Sequence, residues 1–204
     1  MPTKEAHTFN PVDLETQQMY KLIIGSVVPR PIAWVSTKSK EAILNLAPFS
    51  FFTVASRQPP TLAVSIGQGV EGRKGTVKDT LTNIRDTKEF VVNVVPEALA
   101  NQMFESSMHV DANTNEFSLA GLTPEPSGTI SVPSVKESPI AFECKLDRII
   151  EVGTDHMVLG QIQCASIDES AYLGNFKVDI ENWKPLARLA GDYASLSPSF
   201  KLPK

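Results

Sequence analysis

The chain has 204 residues, 42% hydrophobic and 21% charged, enough to bury one sizeable core and too apolar to stay disordered. Its formal net charge of −4 argues against a nucleic-acid footprint. No apolar run approaches the ~20 residues of a membrane span.

Residues 1–10 are polar and lack the hydrophobic stretch of a signal peptide, so cytoplasmic residence is the expectation. Residues 1–12 read as a flexible N-terminal segment, 13–195 as one domain, and 196–204 as a C-terminal tail. Asp13 is placed to cap a short helix through about Leu22, with Leu14, Met19 and Leu22 as its apolar positions. Gly25, Pro29 and Pro31 then stop the helix and reset the backbone toward extended geometry. Strands are expected at residues 32–37, 50–54, 61–66, 89–95, 141–149 and 157–166, all β-branched or aromatic runs. In the fifth, Phe142, Cys144 and Leu146 share one face and Glu143, Lys145 and Asp147 the other. One helix is expected from Asp79 or Thr80 to about Asp86, with Leu81 and Ile84 inward. Another starts at Pro96 and carries Leu99, Met103 and Phe104. Many closely spaced strands with few helices favour a barrel or sandwich over a doubly wound sheet.

The chemistry concentrates in Pro29-Arg30-Pro31-Ile32-Ala33-Trp34-Val35-Ser36-Thr37 and Asn45-Leu46-Ala47-Pro48-Phe49-Ser50-Phe51-Phe52. A strand ends in hydroxyls, a polar turn follows, and then come an amide, a hydroxyl and a proline-fixed backbone beside aromatics. That mixture suits a flat, partly apolar ligand edged with hydrogen-bonding atoms. For Trp34 plain core is the competing reading, and for Asn45 a turn. A second window offers Arg73, Lys74, Lys78 and Thr80 ahead of a helix start, where unpaired N–H groups favour an anion. The same window also reads as a solvated basic loop, and Asp79 as a cap or the partner of a base. Ser65-Ile66-Gly67 closes a strand and suits either a ligand contact or a turn.

Other signals are weak. Cys144 and Cys164 form no CxxC and read as buried thiols. His7, His109 and His156 have no cysteine or carboxylate at metal-ligand spacing, so no metal site is expected. There is no GxSxG elbow. In Gly67-Gln68-Gly69-Val70-Glu71-Gly72 the third glycine comes one residue too early for a dinucleotide fingerprint.

These segments, together with Lys78-Asp79-Thr80-Leu81-Thr82-Asn83-Ile84, Glu89-Phe90-Val91-Val92-Asn93, Glu116-Phe117-Ser118-Leu119-Ala120-Gly121-Leu122, Glu137-Ser138-Pro139, Glu143-Cys144 and Arg188-Leu189-Ala190-Gly191, stand in the order and near the spacing of a known family. Over roughly residues 20–195 the chain resembles the flavin reductase-like FMN-binding split-barrel family, the flavoredoxin-like flavoproteins. The resemblance implies a mainly β fold, a Greek-key split barrel with peripheral helices, binding FMN (FAD less expected). It implies flavin contacts from Trp34, Ser36, Thr37, Asn45, Ala47, Pro48, Ser50 and Phe52; beside these, the strand end at Ser65 and Gly67 suits a ribityl or phosphate contact, with turn chemistry as the alternative. Phosphate contacts would come from Lys78 and Thr80 with Arg73 or Lys74, and a further contact from Arg188 near Tyr193. The chain departs from the family pattern at Gly75-Thr76-Val77, which separates the two groups of cations, at Ala42, and at Ala190, where glycines are usual.

The implied activity is an NAD(P)H-dependent, flavin reductase-like oxidoreductase with hydride transfer to flavin N5. It would act as a homodimer and deliver electrons to a small-molecule or protein acceptor, with no nucleic acid, membrane or metal partner. The alternatives are an FMN electron carrier or binding module without nicotinamide turnover, and a split-barrel oxidase acting on a small substrate with oxygen.

Overall fold

The computed structural model describes residues 5–69, 75–196 and 198–203. In chain order the helices and strands are α1 (Thr16–Ser26), β1 (Ala33–Lys38), β2 (Leu44–Phe49), β3 (Phe52–Arg57), β4 (Pro60–Ile66), α2 (Asp79–Thr87), β5 (Glu89–Val94), α3 (Ala100–Glu105) and α4 (Glu116–Leu119). There follow β6 (Pro124–Glu125), β7 (Ser134–Val135), β8 (Ile140–Val152), β9 (Asp155–Ile167), β10 (Tyr172–Gly174), β11 (Lys177–Val178), α5 (Ile180–Trp183), β12 (Leu186–Arg188) and β13 (Tyr193–Ser195). No described helix is long and apolar enough to cross a membrane.

The main sheet runs β2-β1-β5-β8-β9-β4-β3, with every neighbour antiparallel. Its two edges, β2 and β3, are consecutive in the chain and separated only by Ser50 and Phe51. Edge strands joined by two residues must lie close together, so the sheet curls round on itself. The result is a split barrel of Greek-key type, the fold that the family resemblance implies.

Strand alternation sorts side chains into two cores. Ala33, Val35 and Phe49 point inward with Leu62, Val64, Phe90, Val92 and Val158, and Leu81 and Ile84 of α2 plug the interior. Ile32, Trp34 and Leu46 point outward, under Met103 of α3 and Phe117 of α4. The inner core is tight: a Cβ added at Gly160 would come 2.2 Å from Cζ of Phe90.

Several local expectations are revised. Helix α1 starts at Thr16, not after Asp13, because the Gln18 side chain reaches back to accept from the Glu15 N–H at 2.9 Å, a capping-box contact. Asn10 caps a separate 3₁₀ turn at Pro11–Asp13, and Gly25 is carried inside the last turn of α1. Residues 44–49 form strand β2 despite Pro48, which an edge strand tolerates. The preceding turn puts Ala42 at φ +64°, the left-handed conformation that favours the usual glycine. Glu143, on the face opposite Cys144, meets a loop and not solvent. It is buried and accepts from Gly128 N (2.8 Å), Thr129 N (2.7 Å) and the Thr129 hydroxyl. Burial pushes its carboxyl up, but these donors together with the Ile130 N–H outweigh that and hold it below the ordinary value.

A cleft at the barrel split

A cleft of about 300 Å³ opens beside β2. One wall is Asn45, Ala47, Pro48 and Phe49. The start of α2 (Lys78, Asp79, Thr80) and Gly69 and Thr76 before it make the second, and Ser106 to Val110 with Glu116 make the third. Each wall has a sequence-level cause. Edge position leaves one side of β2 unpaired in the sheet. Helix α2 begins abruptly, with Lys78 as a cap residue that provides no side-chain capping bond. The third wall is the end of α3 and the loop leading into α4, whose first turn Asn115 caps through Phe117 N.

The floor is a closed polar network. Thr37 and Asn45 face each other across the β1–β2 ladder, and the Thr37 hydroxyl donates to Asn45 Oδ1 at 3.1 Å. Thr80 donates to the same oxygen at 2.9 Å. Asn83, one turn further along α2, donates from Nδ2 to the Thr37 oxygen at 3.1 Å. Asn45 Nδ2 donates to Glu116 Oε1 at 2.8 Å, and Leu46 N to Glu116 Oε2 at 3.3 Å. All five side chains are buried. Burial raises the Glu116 carboxyl above its ordinary range, and the nearby Asp79 adds to this. The bonds from backbone N–H groups and Asn45 oppose it. Lys78 lies over the Phe49 ring, its Nζ 5.2 Å from the centroid. Burial lowers its pKa, and Asp155 on β9 partly offsets this.

Of the residues singled out from sequence, the structure brings Asn45, Ala47, Pro48, Lys78 and Thr80 to the cleft. Thr37 lies beneath it, bonded to Asn45. Trp34 and Ser36 are fully buried behind it: the Trp34 indole N–H donates to Ser106 Oγ at 2.8 Å, and Ser36 donates to Pro133 O at 2.7 Å. Phe52 packs against the inner core. Ser65 N is bonded to Phe51 O at 2.8 Å. Gly67 lies beside the Asp155 carboxylate, where an added Cβ would make ordinary contact at 3.4 Å. Ser50 and Arg188 gather instead around buried Arg30. Its guanidinium donates to Ile24 O (2.7 Å), Val27 O (2.9 Å), Leu189 O (2.6 Å) and Ser50 Oγ (3.4 Å). Arg188 exchanges both backbone bonds with Arg30 at 2.9 Å and stacks its guanidinium 4.4 Å from the Tyr193 ring centroid. Arg73 and Lys74 lie outside the described residues.

Sequence reasoning did not assign Glu116, Asn83, Ser107 or His109 to the site. Glu116 stood within a quoted segment, but its partner Asn45 is 71 positions away and nothing local announces the pairing.

The chain is a member of the flavin reductase-like domain family, whose model matches residues 24–196. A protein of Aquifex aeolicus is 43% identical over 175 residues, 86% of this chain and 88% of that one. Nitrilotriacetate monooxygenase component B from Bacillus cereus superposes with a TM-score of 0.93 at 35% identity, covering 98% of this chain and 100% of that one. For 2-nitrobenzoate 2-nitroreductase from Pseudomonas fluorescens the values are 0.86 and 32%, covering 97% and 96%. Family and neighbours together make this a flavin-related oxidoreductase of general type.

Proposed function

We propose that the protein binds FMN at this cleft and acts as a flavin reductase-type oxidoreductase, taking hydride from a reduced nicotinamide. The observation that carries the reading is the convergence of Lys78 and Thr80, at the uncapped start of α2, on the same cleft as Ala47, Pro48 and Phe49. The donor set fits the group. A phosphate needs a cation, a hydroxyl and helix-start N–H groups. Lys78, Thr80 and the first turn of α2 would hold it. A flavin ring needs an apolar surface with polar atoms at its rim, and Ala47 to Phe49 beside Ser106, Ser107 and His109 would supply both. A volume of about 300 Å³ is at the small end for ligand sites, so the cleft would enclose part of the cofactor and leave part open to a second reactant.

When bound, the flavin supplies the redox chemistry itself, accepting hydride at N5. The residues of this chain bind, orient and shield. Lys78 neutralises phosphate charge. Phe49 holds the Lys78 ammonium over its ring and so fixes where that charge sits. The buried network under Asn45 keeps the β2 edge and the start of α2 at a constant separation.

The acceptor is proposed at the level of class. Two relatives suggest its range: one is a component of a monooxygenase, the other a reductase of a small nitroaromatic, 2-nitrobenzoate. We also propose a homodimer, supported by exposed Tyr20, Ile23, Val27 and Val28 on and after α1 and by Phe176, which is 98% exposed.

The test is direct. Titration with FMN, followed by flavin fluorescence, is expected to give about one site per chain. Replacing Lys78 and Thr80 together by alanine is expected to weaken it by about tenfold or more, since charge-assisted bonds contribute ~1.5–3 kcal/mol. Unchanged affinity in a folded double variant would refute the assignment. Saturable NADH or NADPH oxidation separates a reductase from an electron carrier.

A further inference from the structure

Glu116 is a buried carboxylate that lines the cleft, and among the described residues no lysine or arginine pairs with it. Its partners are the Asn45 amide and the backbone N–H groups of Leu46 and of Glu116 itself, all donors. An ionised carboxylate only accepts, so the atom of Asn45 that faces Glu116 must be Nδ2. Oδ1 of Asn45 is therefore turned toward Thr37 and Thr80, and both hydroxyls spend their single proton on it. At rest, Thr80 has no proton to offer the cleft.

We propose that Glu116 is a positioning residue: by fixing the Asn45 amide it sets which way the Thr80 hydroxyl donates, and so tunes how strongly the cleft prefers a phosphate-bearing flavin over one without phosphate. This rests on the reading that the flavin phosphate lies at Lys78 and Thr80. Phosphate oxygens only accept, so Thr80 must swing its proton off Asn45 to greet them. Asn45 Oδ1 is not orphaned by the swing, because Thr37 still donates to it. One hydrogen bond is nevertheless exchanged for another, and affinity for the phosphate is held down by that exchange.

Glu116→Gln reverses the arrangement. The glutamine keeps the shape of Glu116 but has one acceptor and one donor. The Leu46 N–H is fixed on β2 and claims the acceptor. The glutamine NH₂ then faces Asn45, whose amide turns over to meet it. Nδ2 of Asn45 now faces the two threonine oxygens, so both hydroxyls lose Oδ1 as acceptor; the buried Thr37 proton must find another partner, a cost common to both flavins, and the Thr80 proton is released toward the cleft. Losing the Glu116 charge would also favour an anion, but that effect does not pass through Thr80. A double-variant cycle with Thr80→Val separates the two.

The experiment measures Kd for FMN and for riboflavin by fluorescence titration at pH 8, where the phosphate is a dianion, in wild type, Glu116→Gln, Thr80→Val and the double variant. In each, the side-chain amide resonances of Asn45 are recorded without ligand. The expected result is that Glu116→Gln raises the preference for FMN over riboflavin, by roughly three- to tenfold more with Thr80 present than with it replaced. The Asn45 amide resonances are expected to move in Glu116→Gln without flavin. An equal rise in both backgrounds would mean that charge alone acts and would overturn the proposal. So would an unchanged preference, equal losses for both flavins, or Asn45 resonances that stay in place. A wild type that binds neither flavin refutes the functional reading instead, and the Asn45 resonances then decide the hydrogen-bond switch by themselves.

Discussion

Gly160 on β9 is the position where a single methyl group should do most damage to the barrel. Its added Cβ would lie 2.2 Å from Cζ and 2.8 Å from Cε1 of Phe90, and 3.1 Å from Cβ of Cys144. Carbon atoms in ordinary contact sit about 3.5–4.0 Å apart, so the Phe90 ring would have to retreat by about 1.5 Å. It has nowhere to go. Phe90 is 1% exposed and shares its core with Leu81 and Ile84 of α2. Overpacking of this kind costs ~1–3 kcal/mol, and the depth of this overlap puts Gly160→Ala at the upper end, about 3 kcal/mol. For a chain of this size that is about 6–12 °C in Tm. Urea unfolding monitored by tryptophan fluorescence would measure it, with an unchanged slope showing that the loss is in stability and not in cooperativity. Phe90→Leu in the same chain should recover at least about 1 kcal/mol of the loss, because a smaller side chain vacates the contested space. A cost of less than about 0.5 kcal/mol, or strict additivity of the two substitutions, would refute the packing argument.

Three further outcomes are expected. Ala42→Gly relieves a left-handed backbone at φ +64° and should stabilise the chain by about 1 kcal/mol, read as a higher urea midpoint; a lower midpoint would count against strain in that turn. Glu143 is held below its ordinary 4.5, so its contribution is fully present above that pH and is lost as pH falls through the lower value in the folded state; acid unfolding of Glu143→Gln should therefore be shallower below about pH 4.5 than that of wild type. Burial pushes the Cys144 thiol up to about 12, with Glu143 adding to it, so only half-buried Cys164 should react with a thiol reagent at pH 8 before unfolding; two fast thiols would contradict the burial.

The strands that were legible in the sequence are those whose pattern is local. β1, β4, β5, β8 and β9 are β-branched runs bounded by turn residues, and each falls within a few residues of its expected span. β2 was illegible because Asn45 and Pro48 lower strand propensity, and only the sheet order shows that it is an edge, where a proline does no harm. Helix α1 starts two residues later than an Asp13 cap implies, because Gln18 reaches back to the Glu15 N–H, a contact that propensity at Asp13 does not announce. At the cleft, the placement of Lys78 and Thr80 follows from the helix start at Asp79 that they flank. The placement of Trp34 was not legible, because alternation says that it faces away from Val35 but not which face lines a cleft. Glu116 and Glu143 were unreadable for a common reason: a carboxylate looks solvated in a sequence, and what buries each one arrives from another part of the chain.

The two open edges of the barrel also bear on how the protein behaves in a crowded solution. An edge strand presents a row of unused backbone groups on which a strand of another molecule can grow, and this chain is rich in β-branched segments of the kind that add that way. Each edge is blunted by its own sequence. On β2, the Leu46 N–H is already spent on Glu116, and Pro48 has none to give. On β3, the ladder breaks register between Val54 and Ser56, and the strand ends at Arg57, where a charge discourages a neighbour. The split in the barrel can therefore stay open without becoming a seed for stacking chain on chain.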